Sequence, residues 1–306
     1  MPSLLIRTFL TYFMQKNGIP STAPPKARNV FLKKLPESAT PFKLAAVSVQ
    51  LTILGSGSKG NSTYVETGGA RILIDAGFSS RQIHQRMAAI GRSPESLSGI
   101  LITHEHSDHI SSLAVLCSKL KIPIFCNRFT QEAIQSQSKN PLTFKLFQTG
   151  ASFEIGDVVV DSFSVPHDAQ DPTGFLLRTP AGHIGFLTDL GHVTKMALDR
   201  IRSANVLFLE SNHDPELLQN DVRRPWSLKQ RIMSRHGHLS NEAAADALTQ
   251  IMSAELKHVF LGHLSEDCNR PDIARRVIAT RLEQIGAQHV RLELSQQHAA
   301  NATLHL

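Results

Sequence analysis

Ile100-Leu-Ile-Thr-His-Glu-His-Ser-Asp-His109 is the stretch that decides this chain: four groups able to ligate a metal, His104, His106, Asp108 and His109, fall within six residues directly after an apolar run. The apolar run predicts a strand, so the four groups sit on a loop at a strand's end, where alternate side chains can turn toward two neighbouring ions. Imidazole and carboxylate are the ligands that zinc-type and manganese-type catalytic sites use. A polar loop with incidental histidines does not account for H-x-H-x-D-H, which is far more specific than an isolated glycine motif.

Outward from this loop, short strand-like runs alternate with helical ones from Val49 onward, the pattern of an α/β layer fold. Strands are expected over 50–54, 63–67, 71–75 and 99–103, then over 158–165, 174–178, 184–188, 206–210, 258–262 and 289–294. Helices are expected over 80–90, 110–119, 194–203, 240–253 and 273–285, the fourth capped by Ser240. With 306 residues and 41% hydrophobic content the chain can bury a large core, which excludes wholesale disorder. No run approaches 18 apolar residues, so no membrane span is expected. Three scattered cysteines argue against a disulfide framework or a cysteine zinc knuckle and for a reducing, cytoplasmic setting.

The net charge of +6 sits in the first 50 residues, which carry seven basic side chains against Glu37 alone; the rest of the chain holds 25 basic and 25 acidic groups. Bulk charge therefore gives no support for a nucleic-acid substrate. Residues 1–48, with a short apolar patch interrupted by Arg7 and a Pro- and Lys-containing stretch, read as a basic, disordered extension of a domain over 49–306; an organellar transit peptide is the competing reading.

Further candidate ligands follow at the ends of expected strands. They are Asp75 in Arg71-Ile-Leu-Ile-Asp75, His167 in Val165-Pro-His-Asp168, Asp189 in Phe186-Leu-Thr-Asp-Leu190 and His263 in Phe260-Leu-Gly-His-Leu-Ser265. Each alone reads equally as a core or turn residue. Together, in this order, they resemble the motifs of the metallo-beta-lactamase superfamily, defined by H-x-H-x-D-H after a strand. The resemblance implies a four-layer αββα sandwich with two divalent cations, zinc or manganese, at the sheet edge. It implies that His104, His106 and His167 hold one, that Asp108, His109 and His263 hold the other, and that Asp189 bridges them. Asp75 would orient the histidine loop, and Asp108 would also accept a proton. Such a cation pair acidifies water and stabilises oxygens that become negative, which is machinery for hydrolysis.

Two later stretches narrow the branch. Val206-Leu-Phe-Leu-Glu210-Ser-Asn-His213-Asp214 and Gly237-His238-Leu-Ser-Asn241 look like the Glu and His pair that nuclease branches use as a proton relay on the leaving oxygen. Glu210 as a mere orienting carboxylate and His238 as a helix-entry residue stay open. With Leu54-Gly-Ser-Gly-Ser-Lys-Gly-Asn61, these motifs resemble the single-domain exonucleases of the superfamily, the YycJ or WalJ type, over about residues 50–296. That likeness implies 5′ to 3′ exonuclease activity on DNA. Ser56, Ser58, Asn61, His213, Arg223 and Arg224 are the expected substrate contacts. Arg223, Arg224, Lys229, Arg231 and Arg235 either hold phosphates or form a solvated helix face with Trp226 packed beneath. The span from His192 to Glu210 is too short for the inserted domain of messenger-RNA-processing relatives, and no long Gly/Pro-rich arm is evident. The alternatives are a transfer-RNA 3′-type endonuclease and a thioesterase or lactonase, which needs the metals but not Glu210 and His238.

Overall fold

A computed structural model describes residues 48–306; all but the last residue of the expected extension lies outside them. Strands β1 (Gln50–Gly55), β2 (Ser62–Glu66), β3 (Arg71–Ile74), β4 (Gly99–Leu101), β5 (Ile124–Cys126) and β6 (Phe144–Leu146) lie side by side in chain order in one sheet. Strands β7 (Ser152–Ile155), β8 (Val158–Ser164), β9 (Thr173–Thr179), β10 (Gly182–Leu187), β11 (Val206–Glu210), β12 (His258–Gly262) and β13 (Arg291–Leu294) build the other. A final strand, β14 (Leu304–His305), returns to pair with β1. In each sheet antiparallel hairpins give way to parallel strands, from β3 to β6 and from β10 to β13.

Helices α1 (Ser80–Ala89), α2 (Ser107–Ile110), α3 (Leu113–Leu120), α4 (Arg128–Gln137) and α5 (Lys195–Ile201) are followed by α6 (Pro215–Asn220), α7 (Trp226–Ile232), α8 (Asn241–Ile251) and α9 (Pro271–Gln284). None of the helices among the described residues is long and apolar enough to cross a membrane.

The four layers follow from the period of two along each strand. Successive side chains point to opposite faces, so a strand buried on both sides is apolar throughout and feeds two cores. Ile72 and Ile74 join Val160, Phe186, Phe208 and Phe260 in the core between the sheets, whereas Leu73 packs outward with Ile83 and Met87 of α1 and Leu116 of α3. In the second sheet Phe208 and Phe260 face inward while Leu207, Leu209, Val259 and Leu261 face Leu248 of α8 and Ile278 of α9. Helices, sheet, sheet and helices result, the expected αββα sandwich.

Sequence periodicity missed β5, β6, β7, β14, α4, α6 and α7, which are two to ten residues long, short for a periodic signal. The single helix expected over 110–119 is two, α2 and α3, because the Ser112 hydroxyl and backbone N–H both donate to Ala76 O, at 2.9 and 3.0 Å, and tie the break to the end of β3. Ser240 caps α8 as expected, accepting from the Ala243 N–H at 3.1 Å.

Candidate metal centre

The expected ligands leave the strands at one edge of the sandwich, and three of the residues that carry them there adopt a left-handed backbone. Asp75, Asp189 and His263, after β3, β10 and β12, have φ of 58°, 54° and 54°. Non-glycine residues use this region sparingly, so the turns are held by what surrounds them. Asp75 is fully buried. Its carboxylate accepts from the Thr103 backbone N–H at 2.9 Å, from the Thr103 hydroxyl and from His109 Nδ1–H at 2.8 Å. This fixes the His109 ring so that Nε2 points into the cluster. The histidine loop is pressed against Gly77, where a Cβ would lie 1.6 Å from Asp108 O; only glycine fits.

Two sets of ligand atoms converge here. His104 Nε2 lies 3.0 Å from His106 Nδ1, which lies 3.3 Å from His167 Nε2. The His167 ring is oriented by its Nδ1–H, which donates to Gly237 O at 3.0 Å. In the second set Asp108 Oδ2 is 3.3 Å from His263 Nε2 and 3.5 Å from His109 Nε2. Asp189 stands between the sets, with Oδ2 3.2 Å from His109 Nε2 and Oδ1 3.8 Å from His167 Nε2. Within each set the candidate atoms lie within 4.8 Å of one another. Because His109 and His167 commit Nδ1 to Asp75 and to backbone, the atoms left facing inward are the other ring nitrogens and carboxylate oxygens. Such a convergence is repulsive without positive charge between the donors, and the donor set fits divalent cations.

Protonation shows the same demand for positive charge. Burial disfavours a charged imidazole, yet Asp189, Asp75 and Asp108 hold His109 well above its ordinary value, and Asp189 and Asp108 lift His263 to about 10. His104, buried beside other imidazoles, is driven well down. Burial would raise Asp108 and Asp189, but the neighbouring imidazoles keep both ionised far below the usual carboxylate range.

Glu210, the last residue of β11, is fully buried. Its Oε1 accepts from His238 Nδ1–H at 2.6 Å and from His263 Nδ1–H at 3.0 Å, and its Oε2 from the backbone N–H groups of Leu190 and Leu239 at 3.0 and 3.2 Å. Burial pushes its acidity down in strength, but His238 and His263 outweigh it and set the carboxyl at about 2. Glu210 therefore reaches the cleft only indirectly, through His238 and His263, both of which line it and each of which commits its Nδ1–H to the carboxylate. The cleft, about 310 Å³, is lined by candidate ligands and His238 together with Arg224, Leu228, Arg231, Ile232 and His236.

The substrate contacts expected from sequence need revision. Of these, Ser58 and Arg224 line the cleft. Ser56 and Asn61 are 3% and 5% exposed, with their polar atoms turned into the protein. His213 is buried and sits against Ser240 through backbone pairing. Arg223 points to solvent, paired with Asp221 and with Asp267 at 2.9 Å. Nor is the basic cluster a free patch. Arg224 is held by Asp221 and Asp267, Arg231 by Asp168 at 2.6 Å, and Lys229 is buried with Nζ donating to Gln219 O. Trp226, expected beneath the helix, is 56% exposed. Sequence reasoning did not single out the cleft residues Asp168, Leu228, Ile232 and His236; Asp168 beside His167 and His236 two residues before His238 were the available signals.

The family described as "Beta-lactamase superfamily domain" matches residues 70–263. The chain is 38% identical over 242 residues to "Exodeoxyribonuclease YycJ" of Bacillus anthracis, spanning 78% of this chain and 91% of that protein. It is 37% identical over 245 residues to "Exodeoxyribonuclease WalJ" of Streptococcus pneumoniae serotype 2, spanning 79% and 91%. Among solved structures, the metallo-beta-lactamase fold protein YhfI from Bacillus subtilis superposes with a TM-score of 0.66 at 16% identity, covering 85% of this chain and all of that one, which speaks to fold.

Proposed function

Because the chain belongs to the beta-lactamase superfamily, we propose that it is a hydrolase of DNA phosphodiesters that holds two divalent cations, zinc or manganese, and removes nucleotides from 5′ ends. The observation that carries this reading is the Glu210–His238 pair at 2.6 Å, with His238 lining the cleft beside His167, Asp189 and His263. A thioesterase or lactonase has no need of it. The names of the YycJ and WalJ relatives support DNA as the polymer. Three free cysteines fit a cytoplasmic setting.

Cations in the two sets would supply the charge that acidifies water and offsets the negative phosphoryl oxygens. The residues of the chain do the rest. His104, His106 and His167 on one side and Asp108, His109 and His263 on the other fix the geometry, with Asp189 between them. Asp108, partly open to the cleft, is placed to take the proton of the attacking water. As the phosphorus–oxygen bond breaks, His238 gives its Nε2 proton to the leaving oxygen. The buried Glu210 carboxylate accepts from its Nδ1–H and holds the ring for that step.

His238→Ala tests the reading. DNA hydrolysis is expected to fall by about 10²- to 10⁴-fold, the usual worth of a positioned acid–base group. Wild-type DNA cleavage by this variant, or hydrolysis of thioesters or lactones unaffected by it in a protein that cuts no nucleic acid, would overturn the proposal.

A further inference from the structure

The loop joining β1 to β2 carries glycines, serines and Asn61, the composition of a phosphate cradle; Ser58 lines the cleft, yet the polar groups of Ser56 and Asn61 turn the other way. Asn61 Oδ1 accepts from the Ser56 hydroxyl and from the Gly57 N–H, each at 2.9 Å. Only the carbonyl end of an amide can accept two such donors, so the orientation of the side chain is fixed. Its Nδ2 is thereby presented to Asp108 Oδ2 at 3.2 Å and to His109 Nε2 at 3.1 Å, among the atoms of the second ligand set. An amide NH₂ cannot ligate a cation. It can donate to the carboxylate and restrict its rotation.

Ser56 links this amide to the third member of the set. While donating to Asn61, its hydroxyl accepts from the His263 backbone N–H at 2.8 Å, where the chain turns at φ 54°. The Asn61 N–H also donates to Asp108 O at 2.8 Å, closing the strap on the histidine loop. None of these bonds reaches His104, His106 or His167; Thr103 contacts His104, and Gly237 O holds His167.

We infer that the β1–β2 loop builds one metal site and not the other: Asn61, fixed by Ser56, is a positioning residue for the set of Asp108, His109 and His263. The inference rests on the two-metal reading above and assigns Ser56 and Asn61 to metal binding instead of substrate contact. Partners that orient metal ligands are typically worth about 10- to 100-fold in affinity.

The test is zinc titration of the chelator-stripped full-length protein against a chromophoric competitor, for the wild type, Asn61→Ala and Ser56→Ala, with thermal unfolding of each metal-free protein alongside. The wild type should take up two zinc ions. Each variant should keep one at wild-type affinity and hold the second about 10- to 100-fold more weakly. If Asn61→Ala fails to fold, Ser56→Ala decides. Two sites of wild-type affinity in a folded variant, or equal weakening of both sites, would overturn the inference. A wild-type protein that binds fewer than two ions would instead defeat the two-metal reading on which it stands.

Discussion

Glu210→Gln puts an amide where a buried anion now serves four donors. One oxygen can still accept from the backbone N–H groups of Leu190 and Leu239, now at 3.0 and 3.2 Å from Oε2. The NH₂ then faces the Nδ1 atoms of His238 and His263, at present 2.6 and 3.0 Å from Oε1, donor against donor. Both rings must move or change tautomer, and His238 loses the carboxylate that holds its Nδ1–H. With hydrogen bonds to a charged group worth about 1.5–3 kcal/mol each, the loss of two predicts about 3–6 kcal/mol in the activation free energy. That is a fall in kcat of about 10²- to 10⁴-fold. Stability should respond too. The carboxyl is lowered from 4.5 to about 2, so the folded metal-free protein favours the anion by at most about 3 kcal/mol. A depressed carboxyl stabilises above its unfolded value and loses that contribution as pH falls through about 2, so the variant's deficit is present at neutral pH and vanishes in strong acid. Steady-state DNA hydrolysis, metal content and thermal unfolding check all three. A variant that turns over at the wild-type rate with its metals bound would refute the reasoning.

Metal uptake should release protons, because His109 and His263 carry them in the metal-free protein, His263 up to about pH 10. Raised imidazoles stabilise fully below 6.5 and lose that contribution as pH rises through the folded value. Metal-free protein should therefore weaken from neutral to alkaline pH while metal affinity rises; calorimetry in buffers of different ionisation enthalpy measures the protons, and uptake without release contradicts the assignment. Gly77→Ala places a Cβ 1.6 Å from Asp108 O and 2.8 Å from Asn61 N, both backbone atoms, so the histidine loop must shift; unfolding temperature and metal affinity should both drop. Burial pushes His213 down to about 4, so between 6.5 and 4 the unfolded chain takes up a proton that the folded one refuses. Stability should fall across that range by up to about 3 kcal/mol, and His213→Leu should flatten the fall in urea titrations at pH 7 and 5.

That the candidate ligands converge was legible because each lies where an apolar run stops, and a strand end at a shared sheet edge is the natural place for a loop to present side chains. Leu207 and Phe208, or Ile72 and Leu73, announce burial on both faces by being apolar in succession. The substrate side was not legible. Ser56 and Asn61 read as polar loop residues open to solvent, yet each satisfies its hydrogen bonds inside the protein, Ser56 with a partner 207 residues away. The arginines near α7 read as a cationic patch because Asp267 and Asp168, 43 and 63 residues from Arg224 and Arg231, are remote in sequence. Glu210 stood out in sequence, but not its burial, which leaves it in contact with His238 and His263 and out of the cleft itself.

The central claim is most directly met by the products released from DNA labelled at its 5′ end, single-stranded and duplex, by protein loaded with manganese or zinc, beside a structured RNA and an Asp108→Ala control. Labelled mononucleotides released from the DNA by the wild type and not by the variant are the predicted result. Intact DNA and RNA after incubation with protein shown to hold its metals would contradict it.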